Sequence, residues 1–386
     1  MNRKWKTTWS ATWSADYENN KRLAVHFEEL VVEDVRKETN DCVSIAFAIP
    51  DHLKQTFHFT QGQNITVKTS VGGTEARRSY SICSAPGENE LRIAVKQVPE
   101  GLFSTYANQS LKPGDKLQVL PPTGRFFTPL DAGQQKRYVA FAAGSGITPV
   151  LSIIKTTLAT EPLSSFTLVY GNRSRNHIIF REALEALKNK YMERFSLIHV
   201  LSRETMDIPL FQGRIDAEKC TVLASALINL EGADEFFLCG PESMIFEVRE
   251  FLEKSGVASG KIHFELFTTP SQQAGSQGGR QTDVRENTGP EALLSRVTVK
   301  LDGRAFDIDL PYSGESILDA ALVAGADLPF ACKGGVCCTC RCKLTEGKVE
   351  MDVNYALEPD ELAAGYVLAC QSHPRSPRVQ IDFDSK

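Results

Sequence analysis

The sequence of 386 residues predicts a multidomain fold, in which an antiparallel β-barrel is followed by a doubly wound parallel α/β domain and a small C-terminal domain. Three observations predict this order. Short alternating segments separated by turns occupy the first third of the chain, strand–helix alternation occupies the middle, and six of the ten cysteines lie between Cys332 and Cys370. At roughly 150 residues per domain, the length accommodates two or three domains.

The composition is that of a soluble globular protein, with 42% hydrophobic residues, 24% charged residues and a net charge of −5. The negative charge and the lack of a long basic run argue against a nucleic-acid partner. No apolar run reaches the roughly 18 residues that a membrane-spanning helix needs, and the N-terminus lacks the apolar core of a secretory signal. We therefore expect no membrane contact and a location in the cytoplasm.

The barrel is predicted for residues 27–132, after an extension. Residues 1–26 contain all three tryptophans among polar neighbours and are expected to be flexible. Within 27–132, apolar residues alternate with others over Val43–Ile49 and again over Leu91–Val95, and turns such as Gly72-Gly73 separate the segments. Many short strands with regular turns predict a small antiparallel barrel.

The α/β domain is predicted for residues 133–268. Its strand candidates are RYVAFAA, FTLVYGN, FSLIHVLS, DEFFLCG and KIHFEL. Between them, IIFREALEALKNK and MIFEVREFLEKSG space apolar residues three and four apart, and Gly256 ends the second of these helices. Alternation of this kind predicts a parallel sheet with helices on both faces.

A linker and an acidic unit complete the chain. Residues 269–292 are rich in Gly, Gln, Ser and Thr without apolar periodicity, which predicts a flexible linker. Residues 293–386 begin with two strand candidates, RVTVKL and AFDIDL, and continue with a helix that has Ser316 as its N-cap and Gly325 after its end. Residues 291–386 carry 15 acidic and 10 basic groups, which is consistent with electrostatic docking.

The C-terminal cysteines have the spacing of metal ligands. The candidates follow the pattern C-x4-C-x2-C with a later fourth member: Cys332, Cys337, Cys340 and Cys370. This spacing is typical of plant-type 2Fe–2S sites, and Lys333-Gly334-Gly335 supplies a loop that can turn tightly around a cluster. A structural zinc site made by the same thiolates is the alternative. Cys338 and Cys342 do not fit the ligand pattern and are predicted to be packed thiols.

The stretch DLPFACKGGVCCTCRCKLTEGKV, followed by ELAAGYVLACQSHP, resembles plant-type ferredoxins across the whole C-terminal unit. The resemblance implies a β-grasp domain that holds a 2Fe–2S cluster on the four candidate cysteines.

Two motifs in the barrel segment indicate a flavin. In Arg78-Ser79-Tyr80-Ser81 the arginine can pair with a phosphate and the tyrosine ring can stack on an isoalloxazine. Gly101-Leu102-Phe103-Ser104 is predicted to begin a helix, whose first amides favour phosphate. Together they resemble the flavin-binding half of the ferredoxin-reductase family. The resemblance implies FAD, with FMN as the alternative, and these contacts: Arg78, Tyr80, Ser81, Lys96, Gly101, Phe103 and Ser104.

Two further motifs lie at predicted strand ends of the α/β domain. In Gly144–Pro149 the glycines let the backbone approach a pyrophosphate, and Thr148 is predicted to cap the next helix with Pro149 at its first position. Cys239-Gly240-Pro241 ends a later strand at the same edge. The resemblance implies nucleotide contacts at Gly144, Gly146, Thr148, Pro149, Cys239 and Gly240. It also implies catalytic roles for Cys239 at the nicotinamide, for Ser81 and for Glu265.

The choice of nucleotide depends on two strand ends that carry arginines. Ser202-Arg203 resembles the 2′-phosphate clamp of NADP-dependent ferredoxin reductases, and Arg173 and Arg175 follow the neighbouring strand. We therefore expect NADPH rather than NADH. Because Glu204 and Asp207 lie close by, surface ion pairing of these arginines stays open as the alternative.

Beyond the extension, the whole chain resembles the reductase subunits of phenylacetyl-CoA epoxidases. The stretches that carry this resemblance are RRSYSICSAP, AAGSGITP, FTLVYGNRS, ESILDAALVAGADLPFACKGGVC and NYALEPDELAAGYVLAC. It implies an enzyme that passes electrons from NADPH through FAD and a 2Fe–2S cluster to di-iron oxygenase subunits, which epoxidise phenylacetyl-CoA in phenylacetate degradation. Two alternatives stay open: the NADH-dependent reductase of another aromatic oxygenase, Rieske or di-iron, and a non-enzymatic redox-responsive module with a zinc-stapled tail.

Overall fold

A computed structural model describes residues 26–267 and 293–385. Most of the predicted extension, up to residue 25, and all of the predicted linker, 269–292, lie outside these ranges. The described residues form a barrel, a parallel α/β domain and a β-grasp domain in that order, so the predicted fold class is confirmed. The boundary residues of the domains stay predictions. Within the described ranges, no helix combines the length and the apolarity needed to cross a membrane.

The barrel is built from six antiparallel strands. They are β1 (Glu28–Thr39), β2 (Cys42–Ala48), β3 (Asn64–Val71), β4 (Thr74–Ser81), β5 (Leu91–Lys96) and β6 (Lys116–Val119). In space they run β4-β3-β6-β1-β2-β5, and a bridge between Ile82 and Ile93 joins the two ends of the sheet into a barrel. Gly72 and Gly73, both with positive φ, make the tight turn between β3 and β4. Helix α1 (Leu102–Gln109) buries Phe103 against the barrel core.

The α/β domain has a parallel sheet covered on both faces. Its strands are β7 (Arg137–Ala143), β8 (Ser165–Asn172), β9 (Phe195–Leu201), β10 (Glu235–Cys239) and β11 (Ile262–Glu265), and its helices are α2 (Ile147–Thr160), α3 (Arg181–Lys190), α4 (Ala217–Ala226) and α5 (Glu242–Lys254). Because both faces are covered, central strands such as β7 are apolar almost throughout.

The strand order β11-β10-β7-β8-β9 places a reversal of chain direction across the sheet between β7 and β10. In open α/β sheets, ligands bind in the crevice that such a reversal opens at the carboxyl ends of the strands. Both predicted nucleotide motifs follow these two strands, so the topology brings them together.

The start of α2 differs from the prediction. Thr148 does not cap the helix, because the helix already begins at Ile147 with Gly146 as its N-cap. Thr148 and Pro149 therefore lie inside the first turn, and the Thr148 hydroxyl donates to the Ser145 carbonyl at 2.9 Å. The preceding turn, Gly144–Gly146, is itself a short 3-10 segment that leads directly into the helix.

The C-terminal domain is a mixed sheet with two short helices. Its elements are β12 (Leu294–Leu301), β13 (Arg304–Pro311), α6 (Ile317–Val323), β14 (Arg341–Glu346), β15 (Val349–Met351), α7 (Pro359–Ala363), β16 (Tyr366–Leu368), β17 (Ser372–Pro374) and β18 (Arg378–Asp382). The main sheet runs β13-β12-β18-β14-β16, with β12 and β18 parallel, and β15 pairs with β17. As predicted, the Ser316 hydroxyl accepts from the Asp319 amide to cap α6. Gly325, with φ of 90°, follows the end of the helix.

Candidate functional site

The glycine turn after β7 lies directly against the end of β10. A Cβ placed on Gly146 would lie 2.1 Å from the carbonyl oxygen of Cys239, so glycine alone allows this approach. A Cβ placed on Gly240 would lie 2.7 Å from the Met244 side chain and 3.1 Å from the backbone nitrogen of Ala143, the last residue of β7. Backbone packed this tightly leaves the amides of the turn available to a pyrophosphate, as expected for a dinucleotide crevice. The fit to a pyridine nucleotide is good.

Two polar side chains extend toward this crevice. Lys96, at the end of β5, places its Nζ 3.9 Å from the position that a Cβ on Gly144 would take, and it lies 3.7 Å from Asp41. Asn172, at the end of β8, is buried, and its amide nitrogen has no hydrogen-bond partner within the described ranges. A cation and an unused donor at a phosphate-binding turn suit an anionic dinucleotide.

The three predicted catalytic residues meet between the barrel and the α/β domain. The Ser81 hydroxyl, at the end of β4, donates to Oε2 of Glu265 at 2.8 Å. Glu265 is paired in register with Cys239 across the parallel strands β10 and β11. The cysteine side chain is fully buried. The ends of β10 and β11 in the α/β domain and the end of β4 in the barrel therefore form one small polar cluster.

Burial decides the protonation of this cluster. It raises the pKa of Glu265 to about 7 against the opposing hydrogen bonds from Ser81 and Asn64. Burial, with a smaller contribution from the Glu265 charge, also raises the pKa of the Cys239 thiol well above its ordinary value. Near neutral pH the cluster thus holds a neutral thiol beside a carboxyl group that can take up or release a proton.

A cavity of about 610 Å³ opens next to this cluster. Three domains line it, and its wall includes Arg78, Ser81, Glu265, Phe267, Phe330 and Cys337. The size is within the range of cofactor sites. Asn64 also lines the cavity, and its carbonyl oxygen is buried without a hydrogen-bond partner in the part of the chain that the structure describes. An arginine, a serine and an unused acceptor around a cavity of this size fit a flavin.

Of the predicted flavin residues, only Arg78 and Ser81 line this cavity, whereas Tyr80 and Phe103 pack in the barrel core next to α1. The rings of Tyr80 and Phe103 pack with their centroids 5.5 Å apart. Helix α1 begins after Gly101 as predicted, so its first amides have no intrahelical partner and can bind a phosphate. The Ser104 hydroxyl is used locally, because it donates to the Gly101 carbonyl and accepts from the Val98 amide.

The predicted 2′-phosphate residues lie together at the ends of β8 and β9. Arg173, Ser202 and Arg203 are exposed, and the Arg203 amide donates to the Arg173 carbonyl at 2.8 Å. Within the described residues, neither guanidinium forms an ion pair. The nearby Glu204 pairs instead with Arg175, at 2.8 Å. Of the three arginines at these strand ends, Arg175 therefore forms the surface ion pair of the alternative interpretation, whereas Arg173 and Arg203 form none with the described residues.

The four candidate metal ligands are arranged as two pairs. The Cys332 and Cys337 sulfurs are 3.1 Å apart, and the thiols of Cys340 and Cys370 hydrogen-bond to each other. Among the described residues, no group of three or more His, Cys, Asp or Glu side chains is placed to hold a single metal ion. Each iron of a 2Fe–2S cluster takes two cysteines, whereas a structural zinc takes four ligands at one point. The pairing fits the binuclear cluster.

The loop around these cysteines supplies donors for sulfur. The Gly334 amide donates to Cys332 Sγ at 3.3 Å, and the Gln371 amide group donates to Cys370 Sγ at 3.4 Å. Positive φ values occur at Lys333 and Gly335 rather than at Gly334, so the predicted tight loop uses one non-glycine residue in the left-handed region. Donors aimed at ligand sulfurs stabilise a bound cluster and set its potential.

Cys338 and Cys342 are packed, as predicted. The Cys338 thiol donates to the Ala356 carbonyl at 3.2 Å, and Cys342 is fully buried in the core of the β-grasp domain.

Sequence reasoning missed the residues whose roles come from contact between domains. Asn64, Phe267 and Phe330 line the flavin-sized cavity, although no motif marks them. Thr66 of β3 contacts Thr339 of the cysteine loop at 3.2 Å, across 273 positions of sequence. Local spacing carries no signal for contacts of this kind.

The chain combines a barrel that has a flavin-sized cavity with a dinucleotide crevice and a loop of paired cysteines. These three features define the class of iron–sulfur flavoprotein reductases. The family comparison agrees along the chain. Residues 29–127 match the oxidoreductase FAD-binding domain, 141–250 match the oxidoreductase NAD-binding domain, and 299–375 match the 2Fe-2S iron-sulfur cluster binding domain.

Two relatives that match over nearly the whole of both chains are components of oxygenases. The chain is 48% identical to a subunit of the 1,2-phenylacetyl-CoA epoxidase of Escherichia coli K12, over 93% of this chain and 98% of that protein. It is 34% identical to the ferredoxin reductase component of 3-ketosteroid-9-alpha-monooxygenase from Rhodococcus rhodochrous, over 92% and 96% of the two chains. The solved structure of phthalate dioxygenase reductase shares the fold, with a TM-score of 0.52, 24% identity and coverage of 95% and 99%.

The chain belongs to the family of oxygenase reductases that includes this subunit of the 1,2-phenylacetyl-CoA epoxidase. It is an oxidoreductase that binds FAD, a pyridine nucleotide and a 2Fe–2S cluster and supplies electrons to an oxygenase.

Proposed function

We propose that this protein uses NADPH to supply electrons to the di-iron oxygenase subunits of a phenylacetyl-CoA epoxidase. The observation that carries the proposal is the 48% identity to a component of such a complex over almost the full length of both chains. At this identity, partner surfaces as well as cofactor sites are expected to be shared. We also place the protein in the cytoplasm, because a reducing compartment keeps the cluster thiolates available.

The flavin occupies the three-domain cavity and its α1 side. Arg78 and the first amides of α1 hold its phosphates, and the ring of Tyr80, supported from behind by the buried Phe103, packs against it. When bound, the flavin takes both electrons of a hydride and the cluster takes one at a time, so two single-electron transfers empty the flavin for each nucleotide oxidised.

The nucleotide lies in the crevice between β7 and β10. Gly144, Gly146 and Gly240 admit its pyrophosphate, Lys96 neutralises it, and Cys239 offers a neutral surface to the nicotinamide ring. Thr148 and Pro149 contribute to the nucleotide site indirectly, because they form part of the first turn of α2 and so help to set its position beside the crevice. Glu265 and Ser81 hold the proton that accompanies changes in charge at the flavin side of the crevice.

The cluster is held by Cys332, Cys337, Cys340 and Cys370, which lie in two pairs, the first of them at the wall of the flavin cavity. NADPH is preferred because Arg173 and Arg203 present two exposed cations beside Ser202 at the ends of β8 and β9. A guanidinium pairs well with a phosphate, and NADH offers none at this position.

An anaerobic absorption titration with NADPH and NADH in parallel tests the donor. We expect NADPH to bleach both the flavin and the iron–sulfur bands. Arg203→Ala should raise the KM for NADPH by roughly ten- to a hundredfold and leave that for NADH unchanged, because one charged hydrogen bond is worth about 1.5–3 kcal/mol. Arg175→Ala is the matched control, since this arginine already pairs with Glu204. Equal use of both nucleotides by the wild type would contradict the NADPH preference.

Reconstitution tests the acceptor. The reductase is mixed with the oxygenase subunits of a phenylacetyl-CoA epoxidase or, in parallel, with a Rieske oxygenase, each with its own substrate. We expect NADPH oxidation coupled to product only with the epoxidase. Coupling to the Rieske enzyme alone would assign the chain to the alternative oxygenase class.

A further inference from the structure

One face of β4 contacts all parts of the electron route. Alternate residues of a strand point the same way, so Glu75, Arg77, Ser79 and Ser81 share a face, and all four line the cavity of about 610 Å³. Ser81 contacts Glu265 of the α/β domain, as described above. The other end of the same face contacts the β-grasp domain, through Arg77.

Arg77 is enclosed although it is charged. Its side chain is 10% exposed, and its guanidinium lies 4.4 Å from the ring centroid of Phe330 and 5.3 Å from that of Phe27. Nε pairs with Glu75 of the same strand at 2.6 Å. A cation at this depth is stable only when it is paired and stacked, so its contacts define one position.

Three contacts of Arg77 reach a single segment of the β-grasp domain. Nη2 donates to Asp327 at 3.3 Å, Nη1 donates to the Leu328 carbonyl at 3.5 Å, and Phe330 stacks on the guanidinium. Phe330 comes two residues before the cluster ligand Cys332. The arginine therefore holds the segment that leads into the cysteine loop.

A second contact holds the other side of that loop. The Ser79 hydroxyl lies 3.0 Å from that of Thr66, which lies 3.2 Å from that of Thr339. Thr339 lies between Cys337 and Cys340 in the sequence. The same face of β4 thus contacts the residues on both sides of the Cys332–Cys337 pair, one contact through Arg77 and the other through Ser79 and Thr66.

We propose that Arg77 is a positioning residue for electron transfer from the flavin to the cluster. It acts through residues 327–330, whose position places the Cys332–Cys337 pair at the wall of the flavin cavity. This role depends on the electron route of the family and on none of the statements about NADPH or phenylacetyl-CoA. The neighbouring Arg78 is not equivalent, because it is exposed and its Nη1 donates to the Arg77 carbonyl.

Anaerobic stopped-flow mixing of the holoprotein with NADPH, and separately with NADH, tests the proposal by following the flavin and iron–sulfur bands. In Arg77→Ala we expect the loss in cluster reduction to exceed any loss in flavin reduction, which is followed separately because Arg77 lines the flavin cavity. Cluster reduction should be slower by roughly ten- to a hundredfold, as misplacement by about 1 Å can cause. The electron paramagnetic resonance spectrum of the reduced cluster should be unchanged, and the slowing should exceed what the measured shifts of the flavin and cluster midpoint potentials account for, because loss of an enclosed cation at the cavity wall also changes the driving force. Arg77→Lys should keep most of the defect, because lysine lacks the planar fork.

The matched control is Arg125→Ala. Arg125 also joins the barrel to the β-grasp domain, through Asp360 at 3.0 Å and the buried Glu361 at 3.7 Å, but its own side chain is 45% exposed and Glu361 keeps its pair with Arg341. Its loss should change cluster reduction by less than about twofold, since exposed pairs contribute little. An equal effect in Arg125→Ala, full rescue by Arg77→Lys, or unchanged cluster reduction in Arg77→Ala would overturn the proposal.

Asp327→Asn provides a second route if Arg77→Ala loses its cluster. Asp327 is 78% exposed, so this change weakens one contact of Arg77 without opening the buried site. It should slow cluster reduction less than Arg77→Ala does, because the contacts of Arg77 with Leu328 and Phe330 stay. Where Arg77→Ala keeps its cluster, adding Asp327→Asn to it should have no further effect, because the contact between these two side chains is already lost. A wild-type flavin that neither nucleotide reduces would contradict the electron route itself, and a flavin reduced by NADH alone would contradict only the NADPH assignment.

Discussion

Glu265 joins the hydride side of the site to the barrel through one hydrogen bond to Ser81. The resemblance to the ferredoxin-reductase family named both residues, together with Cys239. Ser81 and Glu265 are 184 positions apart in the sequence, so the sequence alone does not predict that they form a hydrogen bond. Asn64 could not be named at all, since its importance comes from a carbonyl oxygen left without a partner, among the described residues, inside a cavity that only the packed domains create.

The raised pKa of Glu265 makes the site sensitive to pH around neutrality. Below a pH of about 7 the buried carboxyl is neutral, and above it the site carries a negative charge. A pH titration of the flavin absorption spectrum should therefore show a transition near pH 7 that is absent in Glu265→Gln. Burial raises this pKa from its ordinary value of 4.5, so the folded protein binds the carboxyl proton more tightly than the unfolded chain does. The stability that this proton adds to the folded state is therefore complete below pH 4.5 and is lost as the pH rises through about 7. A transition that persists in the glutamine variant would assign it to another group.

Gly146 is the residue at which a single methyl group has the largest expected effect. In Gly146→Ala the new Cβ would collide with the Cys239 carbonyl, so the end of β10 has to move, at a cost of about 1–3 kcal/mol in stability. Reduction of the flavin by NADPH should slow strongly while reduction by dithionite stays normal. Gly87→Ala is the control, because a Cβ there meets nothing within 4 Å. Normal NADPH kinetics in Gly146→Ala would show that the crevice tolerates the shift.

At the level of single elements, buried strands were the most predictable parts. The segment RYVAFAA coincides with β7, because a strand covered on both faces must be apolar throughout. The predicted start of α2 was wrong, since Gly146 takes the N-cap position and shifts Thr148 into the helix. Glycine at that position is required by contact with β10, so tertiary packing overrode the usual capping preference.

The cap of α6 links helix stability to the cluster loop. Ser316 caps the helix through the Asp319 amide, and the Asp319 carboxylate pairs with Lys333 of the cysteine loop at 2.6 Å. Ser316→Ala should lower the stability of the β-grasp domain by about 1 kcal/mol, the usual loss for a missing cap. The iron–sulfur absorption should then be lost at a lower urea concentration, whereas Ser316→Thr, which keeps the cap oxygen, should behave as wild type. Equal urea midpoints for the alanine variant and the wild type would contradict this link.

For the whole molecule, the order of the three domains was predictable and their mutual arrangement was not. Each domain has its own periodicity and motif, and these are local properties. The contact between Arg77 and Asp327 joins positions 250 residues apart, and no spacing rule reports it. The predicted extension and linker fall outside the described residues, so their predicted flexibility stays a prediction.

Ionic strength should separate internal from external electron transfer. The contact at Arg77 is shielded from solvent, so raising the salt from about 0.05 to 0.5 M should change flavin-to-cluster transfer by less than about twofold. Transfer to the oxygenase should slow markedly, because residues 291–386 carry an excess of five negative charges and long-range attraction is screened. Stopped-flow reduction and oxygenase turnover in the same buffers measure the two steps. Equal slowing of both would indicate that exposed ion pairs hold the domains together.

The shared face of β4 constrains how reductases of this kind can be recombined. The hydride contact at Ser81 and the cluster contact at Arg77 are four residues apart, about 13 Å along one strand. Deleting one residue between Arg77 and Ser81 would turn one of these two side chains to the opposite face of β4, toward the barrel core, and its contact would be lost. A foreign ferredoxin grafted onto this barrel would keep its cofactor yet lose its alignment unless it carried counterparts of Asp327 and Phe330. Modular inheritance of the domains therefore requires that β4 and the segment before the first cluster cysteine change together.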